Sequence, residues 1–365
     1  MKTRAALLHE VGQPLVVQEV DLAEPRAGEV LVRVAAAGVC HSDLHYINGD
    51  WAGPKPMVLG HEGSGIVERV GPGVTRVRPG DHCVLIFRPN CGTCYHCTIG
   101  RPALCSGRIS APGTMFDGTT RLSLDGAPVY HLARVACFAE HAVLAEEQLL
   151  PIPRAIPLDR AALVGCAVMT GVGAAMNTAR VEPGSAVVVI GCGGVGLNVV
   201  QGARMLNAGR IIAVDLLDNK LDYALDFGAT HAINAREEEP VARIRELTGG
   251  GADYAFDAIG SARTVQQAFE CVRTGGTAIA VGVAPQGQLA QIDAWALAMQ
   301  EKTLKGCFYG SARPRVDMAR LLDLYQQQRL KLDELISRRY ALDQINEGFE
   351  LLQGGAVARG VIVMQ

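Results

Sequence analysis

Up to about residue 150 the chain alternates short β-branched runs with turns rich in glycine and proline. Val30-Leu31-Val32-Arg33-Val34 and Gly65-Ile66-Val67-Glu68-Arg69-Val70 have the period of strands, and Gly71-Pro72-Gly73 and Arg78-Pro79-Gly80-Asp81 have the chemistry of turns. That texture predicts a small antiparallel barrel. From about Leu158 the pattern changes. Apolar runs at Ala186–Ile190, Ile211–Val214, Tyr254–Asp257 and Thr277–Val281 alternate with helical stretches, which predicts βαβ units around a parallel sheet. After about Leu304 the pattern is mixed, with a helical stretch near Met318 to Gln328 and a strand-like ending at Gly360–Met364. The expected class is α/β with a β-rich partner. The β-rich domain covers residues 1–165 and 308–365 and is interrupted by the parallel-sheet domain over 166–307.

Composition narrows this picture. A chain of 365 residues is long for one core and suits two domains. The formal net charge is -3 with no basic block, so no nucleic-acid partner is expected. No apolar run reaches the length of a membrane span, and the apolar stretch after Met1 is too short for a secretory signal. A cytoplasmic protein with no membrane partner is the expectation. Eleven cysteines would then be unusual as disulfides, and their clustering points to metal.

Val187-Val188-Val189-Ile190 runs into Gly191-Cys192-Gly193-Gly194-Val195-Gly196, followed by a helical pattern through Leu206. Glycines there permit a tight turn and a close backbone approach to a pyrophosphate, and a helix N-terminus presents free N–H groups to it. Asp215 ends the next apolar run, 19 residues after Gly196. Its carboxylate suits the two ribose hydroxyls and repels a 2′-phosphate. Leu216 and Leu217 follow it instead of an arginine, so NAD is favoured over NADP.

Cys91, Cys94, Cys97 and Cys105 form C-x2-C-x2-C-x7-C. Four thiolates in one loop suit a closed tetrahedral zinc that takes no part in chemistry. An iron–sulfur cluster uses related spacings, but no proline follows Cys105. A second set is dispersed: Cys40 in Gly38-Val39-Cys40-His41-Ser42-Asp43, His61 in Gly60-His61-Glu62-Gly63, and Cys166 in Gly165-Cys166-Ala167. Two thiolates and an imidazole would hold zinc with the fourth position open to water or substrate. Asp43 would accept from the free N–H of His61, and Glu62 would approach the zinc or tune it from behind.

With these motifs in view the chain resembles the zinc-containing medium-chain dehydrogenase/reductase family, in its alcohol dehydrogenase pattern, along nearly the whole length. The resemblance rests on Gly60-His61-Glu62, the four-cysteine loop, Gly165-Cys166 with Thr170-Gly171, the glycine turn, and Val281-Gly282-Val283. It implies a GroES-like barrel domain plus a Rossmann dinucleotide-binding domain. It also implies two zinc ions per subunit, a catalytic one on Cys40, His61 and Cys166 and a structural one on the four-cysteine loop. The activity implied is reversible hydride transfer between an alcohol or aldehyde and NAD, with the nicotinamide meeting the open zinc position in a cleft between the domains.

By the same resemblance Ser42 bonds the alcohol oxygen and His45 passes the proton to solvent. His41 stands against the pyrophosphate, Lys220 touches the adenosine ribose, Arg359 reaches the phosphates and Thr170 packs on the nicotinamide. Val281 and Val283 belong to the same cofactor site. Tyr46, Trp51, Phe87 and Leu132 are candidates for the substrate wall. Apolar character there suggests a primary alcohol, aryl or medium-chain. The stretch Phe116–Ser123 resembles a segment of dimeric, liver-like and class III members, which implies a homodimer ahead of a tetramer. Two neighbouring activities share the scaffold. Glutathione-dependent formaldehyde dehydrogenases carry an arginine where this chain has Ile109, with Arg108 beside it. A nicotinoprotein would keep NAD bound and use an external acceptor.

Overall fold

The computed structural model describes residues 1–364. The chain divides into two compact units, one made of Met1–Cys166, Arg313–Gln328 and Leu332–Gln365, the other of Ala167–Ala312 and Arg329–Lys331.

In the first unit, strands Lys2–Leu8, Val16–Leu22, Leu122–Leu124, Ala127–His131 and Met57–Val58 close into a barrel. Leu7, Leu8, Val20, Leu22 and Val129 are buried in the core that packs inside and against it. Beside it lies a seven-stranded sheet whose longest strand, Glu29–Gly38, positions the chemistry. It pairs antiparallel with Gly63–Val70, opposing Ala37 to Gly63, and on its other side with Arg359–Val363, opposing Gly38 to Val361. Residues just beyond the end of one strand and just before the start of its antiparallel neighbour are thereby brought side by side. Those residues are Val39-Cys40 and His61-Glu62. Close pairing also explains Gly65, where a Cβ would come within 2.4 Å of the Arg33 carbonyl oxygen.

A continuous helix of 22 residues, Leu158–Ala179, has a mean hydropathy of 1.4 and is 83% buried. Its length and composition would suit a membrane, but its burial makes it a core helix. Two of its stretches, Val164–Val168 and Ala174–Ala179, are π-helical. Such bulges widen a turn and often mark functional positions. Cys166 lies inside the first.

The second unit holds a six-stranded parallel sheet, in spatial order His231–Asn234, Arg210–Asp215, Ala186–Ile190, Ala252–Asp257, Val272–Ala280 and Thr303–Gly306. Numbered along the chain this is 3-2-1-4-5-6, with the reversal beside Ala186–Ile190, the doubly wound order that binds dinucleotides. Helix Gly194–Met205 follows the central strand directly.

Candidate active site

The ligand atoms of Cys40, His61 and Cys166 lie within 4.8 Å of one another, and all three side chains are buried. His61 Nε2 is 3.3 Å from Cys166 Sγ. A tetrahedral zinc at ordinary bond lengths separates its ligands by roughly 3.5–3.8 Å, so the set fits that ion with one position left open. Cys40 is the residue before helix His41–Asn48, and Cys166 comes from the π-helical turn. A hydrogen bond from Cys166, the charge of Arg359 and the imidazole of His61 hold the Cys40 thiol well below its ordinary range, against burial. The thiolate form that a metal needs is thus favoured at Cys40, while Cys166, which donates to it and is buried, is pushed up.

Asp43 sits in the first turn of that helix, fully buried. Its Oδ1 accepts from the Gly60 N–H at 2.9 Å and lies 3.2 Å from His61 Nδ1. Glu62 is also fully buried, and its carboxylate pairs with the guanidinium of Arg359. Burial pushes Glu62 up to about 7, with Arg359 opposing. Gly38 makes room for this carboxyl: a Cβ there would lie 2.7 Å from Glu62 Cδ. Arg359 has a partner that the sequence did not reveal. It is only 2% exposed and pairs with Glu62 through one guanidinium nitrogen, while its buried Nε has no hydrogen-bond partner among the described residues. The cause is the pairing of Arg359–Val363 with Glu29–Gly38, which draws its first residue into the barrel unit.

The four-cysteine loop forms a second cluster. Cys91 and Cys97 sulfurs are 4.0 Å apart, Cys94 and Cys97 3.5 Å, and Cys94 and Cys105 3.8 Å. These are again tetrahedral separations. Backbone N–H groups of Thr93 and Cys94 point at the Cys91 sulfur and, with the Thr93 hydroxyl, bring it down to about 7. N–H donors from Cys97 and Ser106 bring Cys94 down to about 5.

In the parallel-sheet unit Gly191 has φ +94°, and a Cβ on Gly196 would lie 1.8 Å from the Gly191 carbonyl oxygen. Turn and helix therefore meet at a contact only glycine allows. A Cβ on Gly193 would meet nothing within 4 Å, and the helix that starts at Gly194 leaves the N–H groups of its first turn without intrahelical partners. Asp215 is oriented over this turn. One carboxylate oxygen accepts from Cys192 N–H at 2.8 Å, the other from Leu216 N–H at 2.7 Å and Leu217 N–H at 3.2 Å. Val281 is buried, Val283 half exposed and Lys220 buried in helix Asp218–Phe227. Thr170 is half-buried and His41 exposed. The geometry of this turn suits a dinucleotide.

Residues 26–154 match the family model described as "Alcohol dehydrogenase GroES-like domain", and residues 194–327 the one described as "Zinc-binding dehydrogenase". The chain is 44% identical to the NDMA-dependent alcohol dehydrogenase of Amycolatopsis methanolica, over 100% of this chain and 99% of that protein. The chain belongs to the zinc-containing alcohol dehydrogenase family. It is also 42% identical to the S-(hydroxymethyl)glutathione dehydrogenase of Paracoccus denitrificans over the full length of both. The crystal structure of benzyl alcohol dehydrogenase from Acinetobacter calcoaceticus matches with a TM-score of 0.94 at 34% identity, covering 100% of each chain. The protein is therefore an oxidoreductase.

Around the buried three-ligand set, this alcohol dehydrogenase gathers the other expected residues unevenly. Ser42 and His45 share the helix that begins after Cys40. His45 Nδ1 lies 2.8 Å from Asp50 Oδ2, and its ring stacks on Trp51 at 4.5 Å. Phe87 meets the His61 ring edge-on at 5.3 Å. Tyr46 and Leu132 line one cavity, whereas Trp51 packs on His45 and Tyr46 outside its walls. Asp50 went unread in the sequence. Gly49, with φ +84°, caps the helix and folds the chain back so that Asp50 reaches His45. An Asn-Gly-Asp run at a helix end was the available signal.

Proposed function

We propose that this dehydrogenase interconverts primary alcohols, aryl or medium-chain, with their aldehydes, using exchangeable NAD in the cytoplasm. The observation that carries the reading is the buried Cys40, His61 and Cys166 set with Asp43 behind the imidazole. When bound, zinc supplies a Lewis acid with an open position and NAD the two-electron acceptor. Cys40, His61 and Cys166 hold the ion, and Asp43 keeps the His61 lone pair on Nε2. Ser42 orients the alcohol hydroxyl. His45, held at Nδ1 by Asp50, takes the proton onward through its other nitrogen. Cys91, Cys94, Cys97 and Cys105 keep the structural ion. Asp215 accepts the ribose hydroxyls and turns away a 2′-phosphate, while the turn N–H groups face the pyrophosphate. His41, Lys220, Thr170, Val281 and Val283 complete the cofactor site.

A homodimer fits the far rim of the parallel sheet. Thr303–Gly306 is an edge strand, and next to it in sequence Ala294–Met299 exposes Trp295 at 63% and Met299 at 67%. An unpaired edge beside apolar surface is suited to a second copy.

Initial rates with NAD across primary, secondary, aryl and aliphatic alcohols test the reading. Primary alcohols are expected to dominate, and oxidation of secondary alcohols alone would overturn it. A second reading, in which NAD stays bound and an external acceptor recycles it, is favoured by the relative named for NDMA dependence. Nicotinamide that survives gel filtration would select it. The glutathione-dependent reading has less support. Arg108 is committed to Glu147 and Ile109 is exposed, which leaves that position without a free cation.

A further inference from the structure

A cavity of about 160 Å³ opens in the barrel unit, walled by Tyr46, Met57, His131, Leu132, Ala133 and Arg134 among others. Two of these walls adjoin the metal set along the chain: Tyr46 lies on the helix that follows Cys40, and Met57 shortly precedes His61. The space is close to that of an engineered apolar cavity of about 150 Å³ that admits benzene, so one aromatic ring is the natural measure of what it holds.

Its charge is one-sided. No aspartate or glutamate is among its walls. His131 is buried, accepts the Arg121 N–H on Nε2 at 2.9 Å, and is pushed down to about 3 by burial and by the charge of Arg121. It is neutral there. Arg134 is the one charged wall residue. Its Nε donates to Ser110 Oγ at 2.8 Å and its guanidinium lies 5.0 Å from the Phe116 ring centre, but no carboxylate pairs with it among the described residues. Arg108 covers the same ring at 5.4 Å and is neutralised by Glu147. Arg134 has no such partner. Burial and the nearby charge of Arg88 both work against it. Lys55, half-buried, lies at the rim, where Nζ donates to the carbonyl of the wall residue Gly53 at 3.3 Å. It too lacks a carboxylate partner among the described residues. A partly buried guanidinium without a counter-ion is costly, and such a group beside a second unpaired cation is explained by an anion that arrives with the ligand.

We propose that Arg134, assisted by Lys55, recognises a carboxylate at the far end of the substrate, so that the preferred alcohols are ring-sized and carry an acid opposite the hydroxymethyl group. Ser110 takes Nε and, at 3.5 Å, one N–H of Nη2, and the donors that remain on the planar guanidinium match a carboxylate in two-point fashion. This names the substrate class for the site read above as an alcohol dehydrogenase, and rests on that reading. Apolar walls hold the ring and Arg134 sets its direction, which presents the hydroxymethyl end away from the guanidinium.

The zinc-loaded enzyme with NAD is assayed on benzyl alcohol, 4-(hydroxymethyl)benzoate and its neutral amide. The carboxylate is expected to exceed both neutral alcohols by tenfold or more in kcat/KM, chiefly through KM. Arg134→Gln is expected to bring that ratio down at least tenfold, Arg134→Lys to restore part of it, and Lys55→Gln to lower it about threefold. A wild-type ratio near one, or a ratio unmoved by Arg134→Gln, overturns the proposal. The amide comparison on the wild type decides the matter if the variants fail to fold. Calorimetric binding of 4-(hydroxymethyl)benzoate separates the two readings. Tenfold weaker binding to Arg134→Gln with no oxidation of any alcohol keeps carboxylate recognition and defeats the dehydrogenase reading. Oxidation of benzyl alcohol without Arg134-dependent binding does the reverse.

Discussion

Asp43 Oδ1 lies 3.2 Å from His61 Nδ1, and the opposite ring nitrogen, Nε2, stands 3.3 Å from the Cys166 sulfur. A proton on Nδ1 is thereby held by the carboxylate, and the lone pair on Nε2 faces the two thiols. The same Oδ1 bonds the Gly60 N–H at 2.9 Å, so the ring and the turn that carries it are fixed by one group.

Asp43→Ala is therefore expected to weaken the zinc on Cys40, His61 and Cys166 by about 10–100-fold. Zinc content after a chelator challenge should fall from two ions toward one, because the four-cysteine loop is independent of Asp43. Retention of both ions at wild-type chelator concentrations would count against the role given to Asp43.

Gly38→Ala places a methyl 2.7 Å from Glu62 Cδ. That carboxyl has nowhere to go, since it is fully buried and paired with Arg359. Overpacking of this kind costs about 1–3 kcal/mol. The variant should melt several degrees lower, and an unchanged melting temperature would show that Glu62 has slack.

Asp215→Ala removes the proposed ribose acceptor and also the carboxylate that orients Cys192 N–H. Loosening of the turn weakens NAD and NADP alike, so the informative quantity is their ratio. Loss of charge-assisted hydrogen bonds worth about 1.5–3 kcal/mol corresponds to a fall in NAD preference of roughly 10–100-fold. Steady-state kinetics with both cofactors measures it, and a constant ratio removes Asp215 from the site.

His45→Gln should slow alcohol oxidation by tenfold or more below about pH 8, with recovery at higher pH where hydroxide takes the proton unaided. Added imidazole should restore part of the rate. Asp50→Asn should give a smaller loss of the same pH dependence, since Asp50 only holds Nδ1 at 2.8 Å. A uniform loss at every pH would mark both as structural.

His131 gives a pH dependence of stability. Its folded pKa is depressed to about 3, by burial and the charge of Arg121, from the ordinary histidine value of about 6.5. Stability from a depressed histidine is complete above the unfolded pKa and declines as pH falls, because only the unfolded chain takes the proton. Between pH 6.5 and pH 5 the decline is about 2 kcal/mol. His131→Gln lacks this contribution, so chemical denaturation at the two pH values should show a shallower loss than wild type. Equal losses would refute the neutral, buried state.

Much of this was legible in the sequence because the signals are short-range. The switch from alternating strands to βαβ units near Leu158 matches the mainly antiparallel sheets of one unit and the parallel sheet of the other. The strands at Ala186–Ile190 and Arg210–Asp215, and the glycine turn between strand and helix, stand where the apolar runs put them. Strands His231–Asn234 and Thr303–Gly306 were not legible. Each is four residues long, both lie at the rims of the sheet, and Thr303–Gly306 carries a lysine and a glycine. Their identity as strands comes from the neighbour they pair with, not from their own pattern.

The sequence by itself determined the chemistry that a few neighbouring residues can specify: four thiols in one loop, a glycine turn ending on a helix, Asp215 at the tip of its strand. Those features depend on local backbone geometry, which spacing encodes. Only the tertiary structure decided which distant groups share a partner. It paired Arg359 with Glu62, brought Asp50 back onto His45, and left Arg134 beside a cavity with no carboxylate to meet it among the described residues. Such pairings follow from strand register and from where burial removes water, and neither is written in any short stretch of the chain.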